Sequence, residues 1–482
     1  MGPGSSRPPL GCSKLREVSR PIPMPLFLGI DLGTSYFKVG LFDEAGALRG
    51  LGRIAVDKSS PVPGRFELPV EAFWERLQRG LKQALAQAGA SVAELTAISY
   101  SSQANTFVLL DRNSAPLTPF IFWNDGRAHP VEDKIARFGQ TEAFRRTVGY
   151  EGIVAECAPP KWRWFMHHEP AVWARADQLM TISDYITFAL TGERAGDAST
   201  AAFTGLYDLQ GKNWWAEALA MFGLDRRRLS TPLPPGAPCG RTVSQATKLL
   251  GLPVGIPFAV GGLDHHVAAL GSGLGRYADM SISTGTVLAA LALVDNAVPQ
   301  SGCYHGPHVD GVRYYRLAFD AAGAGQLEDY QRRCAPDATI EHLLALAGTV
   351  KPDSRPGSSP PATGTDRDHG VAVRHLLEKI SANHRGLVGR VAGGGPIQTV
   401  VATGGGARSA IWVQITADMF GVPVVTTKCM EQACLGAALL AAAAVGIFST
   451  AAEASLAMVH SDRIFEPDAK AAAIYRERTG QA

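Results

Sequence analysis

From Leu26 to Asp43 the chain reads apolar, polar, apolar: Leu-Phe-Leu-Gly-Ile, then Asp31-Leu-Gly33-Thr34-Ser35-Tyr-Phe-Lys38, then Val-Gly-Leu-Phe-Asp. Two apolar runs joined by a small-residue turn predict a β-hairpin. A third strand is predicted over Gly50 to Val56, followed by a helix with Phe73, Trp74, Leu77, Leu81, Ala84 and Leu85 at helical spacing. Leu95 to Tyr100 and Thr106 to Leu110 read as buried strands around the polar loop Ser101-Ser-Gln103-Ala-Asn105. Helices are predicted from Lys161 to Gly192, with Trp162, Trp164 and Phe165 in the core. A buried strand leads into Asp264-His265-His266 and a helix, and Asp279 to Leu293 repeats the order strand, Gly-Thr turn, strand. Val312 to Phe319 is a further strand, followed by a helix carrying Val373, Leu376, Leu377, Ile380, Leu387, Val388 and Val391 on one face. The strand Gln398 to Thr403 runs into Gly404-Gly405-Gly406-Ala-Arg408-Ser409 and a helix with Ile411, Trp412, Ile415 and Met419 inward. Strands alternating with helices place the chain in the α/β class. The most apolar stretch, Ala433 to Phe448, is mostly alanine and too short to span a bilayer, so it reads as a buried helix.

The first hairpin tip is chemically loaded. Gly33 has no Cβ, so backbone N–H groups can approach an anion; Thr34 and Ser35 add donors, and Lys38 adds positive charge. Asp31 beside a phosphate calls for a divalent cation between the two. The same residue types also make ordinary turns, and that reading stands beside the phosphate reading. The return of the pattern about 250 residues later, at Ser283-Thr284-Gly285-Thr286, points to an internal duplication whose two tips could grip one polyphosphate. The strand, triple glycine and helix after Gln398 would let a backbone lie flat against a nucleoside, with phosphate favoured at the helix N-terminus.

With these motifs the sequence resembles the FGGY carbohydrate kinase family, within the actin and heat-shock chaperone ATPase superfamily. Ile121-Phe-Trp123-Asn124-Asp125-Gly-Arg127 matches the family's Trp-x-Asp-x-Arg motif, and Asp418-Met-Phe-Gly421-Val-Pro423 and Glu431-Gln-Ala-Cys-Leu-Gly436 match later segments. Ser101 to Asn105 resembles the family's Ser-Gly-Gln-Met-His segment, with Gln103 retained and the next two residues changed. The family's long insert with a Glu-Arg-x-Pro signature is missing between Gly325 and Gly404. The resemblance implies two ribonuclease-H-like (actin-like ATPase) domains closing on a central cleft. The divisions expected are an extension over 1–24, a sugar- and phosphate-binding domain over 25–259 and a nucleotide-binding domain over 260–482. It further implies transfer of the ATP γ-phosphoryl group to a hydroxyl of a ketose or polyol, xylulose-like, with Asp264 accepting the proton. Asp31 would organise Mg2+, while Thr34, Ser35, Lys38, Ser283, Gly285 and Thr286 would hold phosphates. Gly323, Gly405, Gly406 and Ser409 would line the nucleotide, and Gln103, Asn105, Asp125 and Arg127, with Asp264, would face the acceptor.

Each assignment has a plainer counterpart. Asp264 suits a helix N-cap, a role compatible with catalysis because the helix terminus keeps the carboxylate ionised. Asp125 and Arg127 equally read as a buried pair pinning a loop, and Gln103 and Asn105 as amides that satisfy loop backbone. A metal role for His265 and His266 is disfavoured because adjacent helix residues point in different directions.

Composition narrows the class. A chain of 482 residues exceeds one core, so two domains are expected. A net charge of +2 from 46 basic and 44 acidic residues, without a long basic block, gives no reason to expect nucleic acid as a partner. No segment is read as membrane-spanning. Seven cysteines without CxxC spacing argue against a disulfide framework or structural zinc, so the cytoplasm is the simplest compartment. Residues 1–23 lack the apolar centre of a signal peptide and read as a disordered tail, with Met24 as the expected start. The expected partners are a sugar or polyol and ATP, with a homodimer as candidate assembly. Two rivals remain: a chaperone or filament ATPase of the same superfamily, against which the short remainder after the second domain argues, and a catalytically weak sugar sensor, against which intact Asp31 and Asp264 argue.

Overall fold

The computed structural model describes residue 2 and residues 24–285, 287–321, 323–352 and 365–478. Thr286, Ala322 and all but Gly2 and Met24 of the predicted N-terminal extension lie outside the described residues.

Two seven-stranded sheets dominate. The first is built from β1 (Leu26–Leu32), β2 (Tyr36–Asp43), β3 (Leu48–Ala55), β4 (Leu95–Ser102), β5 (Pro238–Arg241), β6 (Pro257–Ala259) and β7 (Gly262–Leu263). Its order is β5-β6-β4-β1-β2-β3, with β7 also pairing with β4. The second contains β8 (Met280–Thr284), β9 (Leu288–Val294), β10 (Tyr304–Pro307), β11 (Tyr314–Asp320), β12 (Val400–Thr403), β13 (Val424–Thr427) and β14 (Ser461–Phe465), in the order β10-β11-β9-β8-β12-β13-β14. The two share one plan. In each, a hairpin pairs antiparallel with a third strand on one side and lies parallel to a later strand on the other, and an antiparallel strand closes the far edge. The internal duplication expected from the two Gly-Thr turns is thus visible as repeated topology.

Amphipathic helices cover these sheets. Helix α1 (Val70–Ala88) buries Phe73, Trp74, Leu77, Leu81 and Ala84 and ends at Gly89, whose φ of 60° closes the helix in the left-handed region. Helix α2 (Ala158–His168) buries Trp162 and Phe165. Helix α3 (Asp264–Gly271) connects the two sheets, α4 (Asp366–Ala392) buries Val373, Leu377, Ile380, Leu387, Val388 and Val391, and α5 (Ala410–Phe420) is capped by Ser409. The alanine-rich run forms α6 (Gln432–Ala444), in which ten of the thirteen residues are buried.

Three features differ from the hydrophobic pattern. Phe107–Leu110 does not join β4 but enters a separate four-stranded sheet with Glu67–Leu68, Phe120–Ile121 and Gln178–Thr181. Both runs are apolar on both faces, so the pattern cannot tell which sheet each belongs to. The first sheet also continues past residue 260 through β7, because a two-residue strand carries no periodicity of its own. Finally, α6 lies against the first sheet rather than only its own half of the chain: Cys434, Leu435, Ala438 and Leu439 pack with Phe27, Phe42 and Ala97.

That crossing needs glycine. A Cβ on Gly29 of β1 would collide with the Cys434 carbonyl oxygen, one on Gly436 with the Val267 carbonyl oxygen, and one on Gly271 with that of Gln432. Backbone therefore meets backbone between β1, α6 and α3.

One buried cation sits beneath the loop that follows Phe120–Ile121. Lys161 on α2 is fully buried and donates to the carbonyls of Phe122 and Trp123 at 2.8 and 2.7 Å. Burial lowers its pKa to about 7. A lysine whose native pKa lies below its unfolded value penalises folding fully below the native pKa, and the penalty fades as pH rises toward the unfolded value.

Two stability experiments follow. Gly29→Ala should lower stability by about 2 kcal/mol or more through overpacking, whereas Gly386→Ala, in α4 with open space at its Cβ, should raise it by roughly 0.5–1 kcal/mol; urea midpoints compare the two. Wild type should also gain stability relative to Lys161→Met between pH 7.5 and 10, by at most about 1.4 kcal/mol per pH unit. A pH-independent difference would show that Lys161 stays charged in the fold.

Candidate active site

The first hairpin tip lies beside the N-termini of α3 and α6, and the second hairpin meets the glycine-rich turn whose Arg408 reaches the residue before α6. β1 delivers Asp31 at its end, and antiparallel register places Lys38 of β2 directly opposite. The tip itself is only Gly33 to Ser35, with Thr34 half-buried and Ser35 exposed. Lys38 Nζ lies 3.3 Å from Asp31 Oδ2 and 3.1 Å from Glu431 Oε2, and Arg408 Nη2 donates to Glu431 Oε1 at 3.0 Å. An ion chain thus runs from the first hairpin through the residue preceding α6 to the glycine-rich turn on the second sheet. Burial raises the Asp31 carboxyl above the usual carboxylate value; Lys38 pulls it back and the nearby Asp264 carboxylate pushes it further up. Lys38 is held protonated: burial opposes its charge, but Asp31 and Glu431 outweigh burial and raise its pKa.

Asp264 is the first residue of α3, and its Oδ1 accepts the His265 N–H at 2.8 Å. It is half-buried. His266 faces away, buried against His308 with Nε2 and Nδ1 2.8 Å apart. Among the described residues no three His, Cys, Asp or Glu side chains group as metal ligands.

The residues expected to face the acceptor are held by protein partners. Gln103 Oε1 accepts from Thr34 Oγ1 at 3.2 Å and Thr106 Oγ1 at 3.0 Å, while its Nε2 donates to Gly33 O at 3.2 Å. Asn105 adopts φ 62°, donates to Phe203 O and accepts from Ala158 N, both at 3.0 Å. Asp125 takes Arg127 Nε at 2.7 Å and Phe66 N at 2.8 Å, and Arg127 Nη2 reaches Glu67 at 2.6 Å. These contacts lock the loops around Trp123, whose Nε1 donates to Thr34 Oγ1 at 2.9 Å.

On the second sheet Ser283 and Gly285 lie at the turn of the second hairpin; Thr286 lies outside the described residues. Ala324 N donates to Gly285 O at 2.7 Å, tying the small-residue turn that contains buried Gly323 to that tip. A Cβ on Gly404, where φ is 81°, would come within 2.9 Å of Thr284 backbone, and one on Gly406 would crowd the Thr284 side chain. Those two glycines admit a protein neighbour, whereas Gly405 is exposed. Ser409 Oγ accepts from Trp412 N at 3.3 Å as the cap of α5.

The sequence reading did not assign Ser101, Trp123, Glu431 or Lys58 to the site. Ser101 Oγ donates to Asp31 Oδ1 at 3.2 Å, and Lys58 Nζ donates to Thr34 O at 3.2 Å. Ser101, Trp123 and Glu431 stand within motifs already singled out, so position in the motif was a usable signal; Lys58 sits in a Pro- and Ser-rich loop and carried none.

Comparison with known proteins accords with this geometry. The N-terminal domain model of the FGGY family of carbohydrate kinases matches residues 26–271, and its C-terminal domain model matches residues 335–445. The chain is 26% identical over 468 residues to xylulose kinase of Staphylococcus epidermidis, covering 92% of each chain. It is 27% identical over 496 residues to autoinducer-2 kinase of Salmonella paratyphi A, covering 93% of this chain and 92% of that one. The crystal structure of xylulose kinase from Rhodospirillum rubrum superposes with a TM-score of 0.80 at 26% identity, covering 94% of this chain and 98% of that chain. The chain belongs to the FGGY family of carbohydrate kinases, with the two-domain actin-like ATPase fold and the ATP-dependent sugar kinase activity of that family.

Proposed function

We propose that this kinase phosphorylates a neutral ketose or polyol, xylulose-like, with Asp264 as the base that accepts the hydroxyl proton. The observation that carries the proposal is the placement of Asp264: at the N-terminus of α3, half-buried and close enough to Asp31 to raise its carboxyl. The helix terminus favours the ionised carboxylate, which can then accept the proton as the phosphoryl group transfers. The acceptor lies against the first domain, near Trp123 and the loop Gln103–Asn105, and ATP against the second, near Ser283, Gly285, Gly323 and Gly405. Thr34 and Ser35 face the phosphates from the first domain, while Lys38 is held behind them between Asp31 and Glu431.

Mg2+ fits this site. It binds through one or two carboxylates plus substrate phosphates and water rather than a full protein cage, and Asp31 presents such a carboxylate next to the first tip. When bound, the ion neutralises charge on the phosphate oxygens. Lys38 keeps the Asp31 and Glu431 carboxylates from repelling each other.

Neutral acceptors are favoured because Arg127 and Lys161 already hold carboxylates and carbonyls and Lys58 is tied to the Thr34 carbonyl, while a sugar acid would call for a charge-paired partner. The xylulose kinases among the relatives support the same class. Gln103, Asn105, Asp125 and Arg127 serve this acceptor by fixing its loops.

ADP release across a panel of pentuloses, hexuloses, polyols and aldonic acids tests the proposal: turnover is expected with a ketose or polyol, and turnover confined to the acids would refute it. Asp264→Asn should retain acceptor binding by calorimetry and lower kcat by roughly 10²-fold or more. Wild-type turnover in that variant would remove Asp264 from the mechanism.

A further inference from the structure

Helix α3 begins without a capping side chain: Leu263 occupies the N-cap position and makes no side-chain hydrogen bond. Its backbone N–H, one residue before Asp264, donates instead to Ser199 Oγ at 2.9 Å. Ser199 is completely buried, and its own hydroxyl proton goes to Asp197 Oδ1 at 2.7 Å. Asp197 is in turn fixed by Thr200 N at 2.6 Å, Thr200 Oγ1 and Tyr100 OH. Ser199 O accepts the Tyr315 hydroxyl of β11 at 2.9 Å, so a strand of the second sheet holds the same residue. Tyr315 remains a donor because burial and the Asp197 and Asp264 carboxylates push its pKa up.

We propose that Ser199 is a positioning residue for the base: oriented by Asp197 and tethered to the second sheet by Tyr315, its hydroxyl fixes the backbone that aims Asp264 at the acceptor. A hydroxyl that donates to a carboxylate accepts more strongly through its remaining lone pair. The Leu263 N–H is therefore held along one direction, and with it the peptide plane that ends at the Leu263 Cα, from which Asp264 extends. Capping of Ala198–Ala201 by Asp197 accounts for the Thr200 bonds, but it accounts for neither the Leu263 contact nor the contact from Tyr315. Because aim matters to proton transfer more than to binding, loss of the hydroxyl should appear in kcat.

This inference rests on Asp264 being the base, and a double-mutant cycle separates the two claims. Ser199→Ala should lower kcat about 10-fold or more, with both Michaelis constants within about two-fold of wild type and the pH profile of kcat displaced. In the Asp264→Asn background the same change should alter residual turnover by less than about two-fold. If Asp264→Asn alone keeps wild-type turnover, the base assignment falls and the positioning role with it. If Asp264→Asn is impaired but Ser199→Ala costs the same factor in both backgrounds, or raises the Michaelis constants at constant kcat, only the positioning role falls. Should Ser199→Ala fail to fold, Tyr315→Phe carries the cycle, since it removes only the hydroxyl that reaches Ser199; a drop in kcat that disappears in the Asp264→Asn background supports the role, and an equal drop in both refutes it.

Discussion

Backbone-to-backbone contact among β1, α6 and α3 is the constraint on which the site depends. Gly29, Gly271 and Gly436 each stand where a Cβ would strike a carbonyl of the neighbouring element. With the side chains gone, the three elements approach as closely as main chains can. Their ends on the cleft side carry Asp31, Asp264 and, one residue before α6, Glu431. Three carboxylates brought together this way repel one another, and burial adds to the penalty on their charge. The fold answers with Lys38 and Arg408, which interleave with Asp31 and Glu431 in one chain of ion pairs. Among the described residues no side-chain cation pairs with Asp264, unlike Asp31 and Glu431.

The same arrangement links the halves of the molecule. Asp31 and Lys38 belong to the first sheet, Arg408 to the turn after the second sheet's β12, and Glu431 to the segment leading into α6. Because α6 packs on the first sheet while its preceding loop touches the second, any rotation of one half against the other moves Glu431 relative to Arg408. The first tip and the glycine-rich turn are therefore electrostatically connected through Lys38, Glu431 and Arg408.

Much of this was legible in the residues. The hairpin tips announced themselves through Asp, Gly, Thr and Ser between apolar runs, and their recurrence foretold the doubled topology that the strand order displays. Asp264 stood out as an acidic residue between a buried strand and a helix. Less readable was anything decided by packing between distant segments. That Lys38 would face Asp31 rather than the open tip depends on register, and that Glu431 would reach Lys38 depends on α6 crossing to the other sheet. Lys161 reads as one polar residue in a helix, yet it is fully buried because Phe122 and Trp123 turn their carbonyls toward it. Ser199 carries no local signal for a similar reason: its partners lie 64 and 116 residues away.

The acceptor side shows why residue type alone could not separate contact from support. Gln103, Asn105, Asp125 and Arg127 are polar, near the cleft and on loops, which is the profile of ligand-binding residues. Each is nonetheless held by protein partners. Asn105 even adopts a left-handed backbone, φ 62°, to place its amide between Phe203 O and Ala158 N. Loops fixed in this way lose little further entropy when a sugar arrives, so a polyhydroxylated acceptor meets a surface whose shape is already set. Those residues in turn hold other groups in place, among them the loop whose Trp123 indole donates to Thr34 Oγ1.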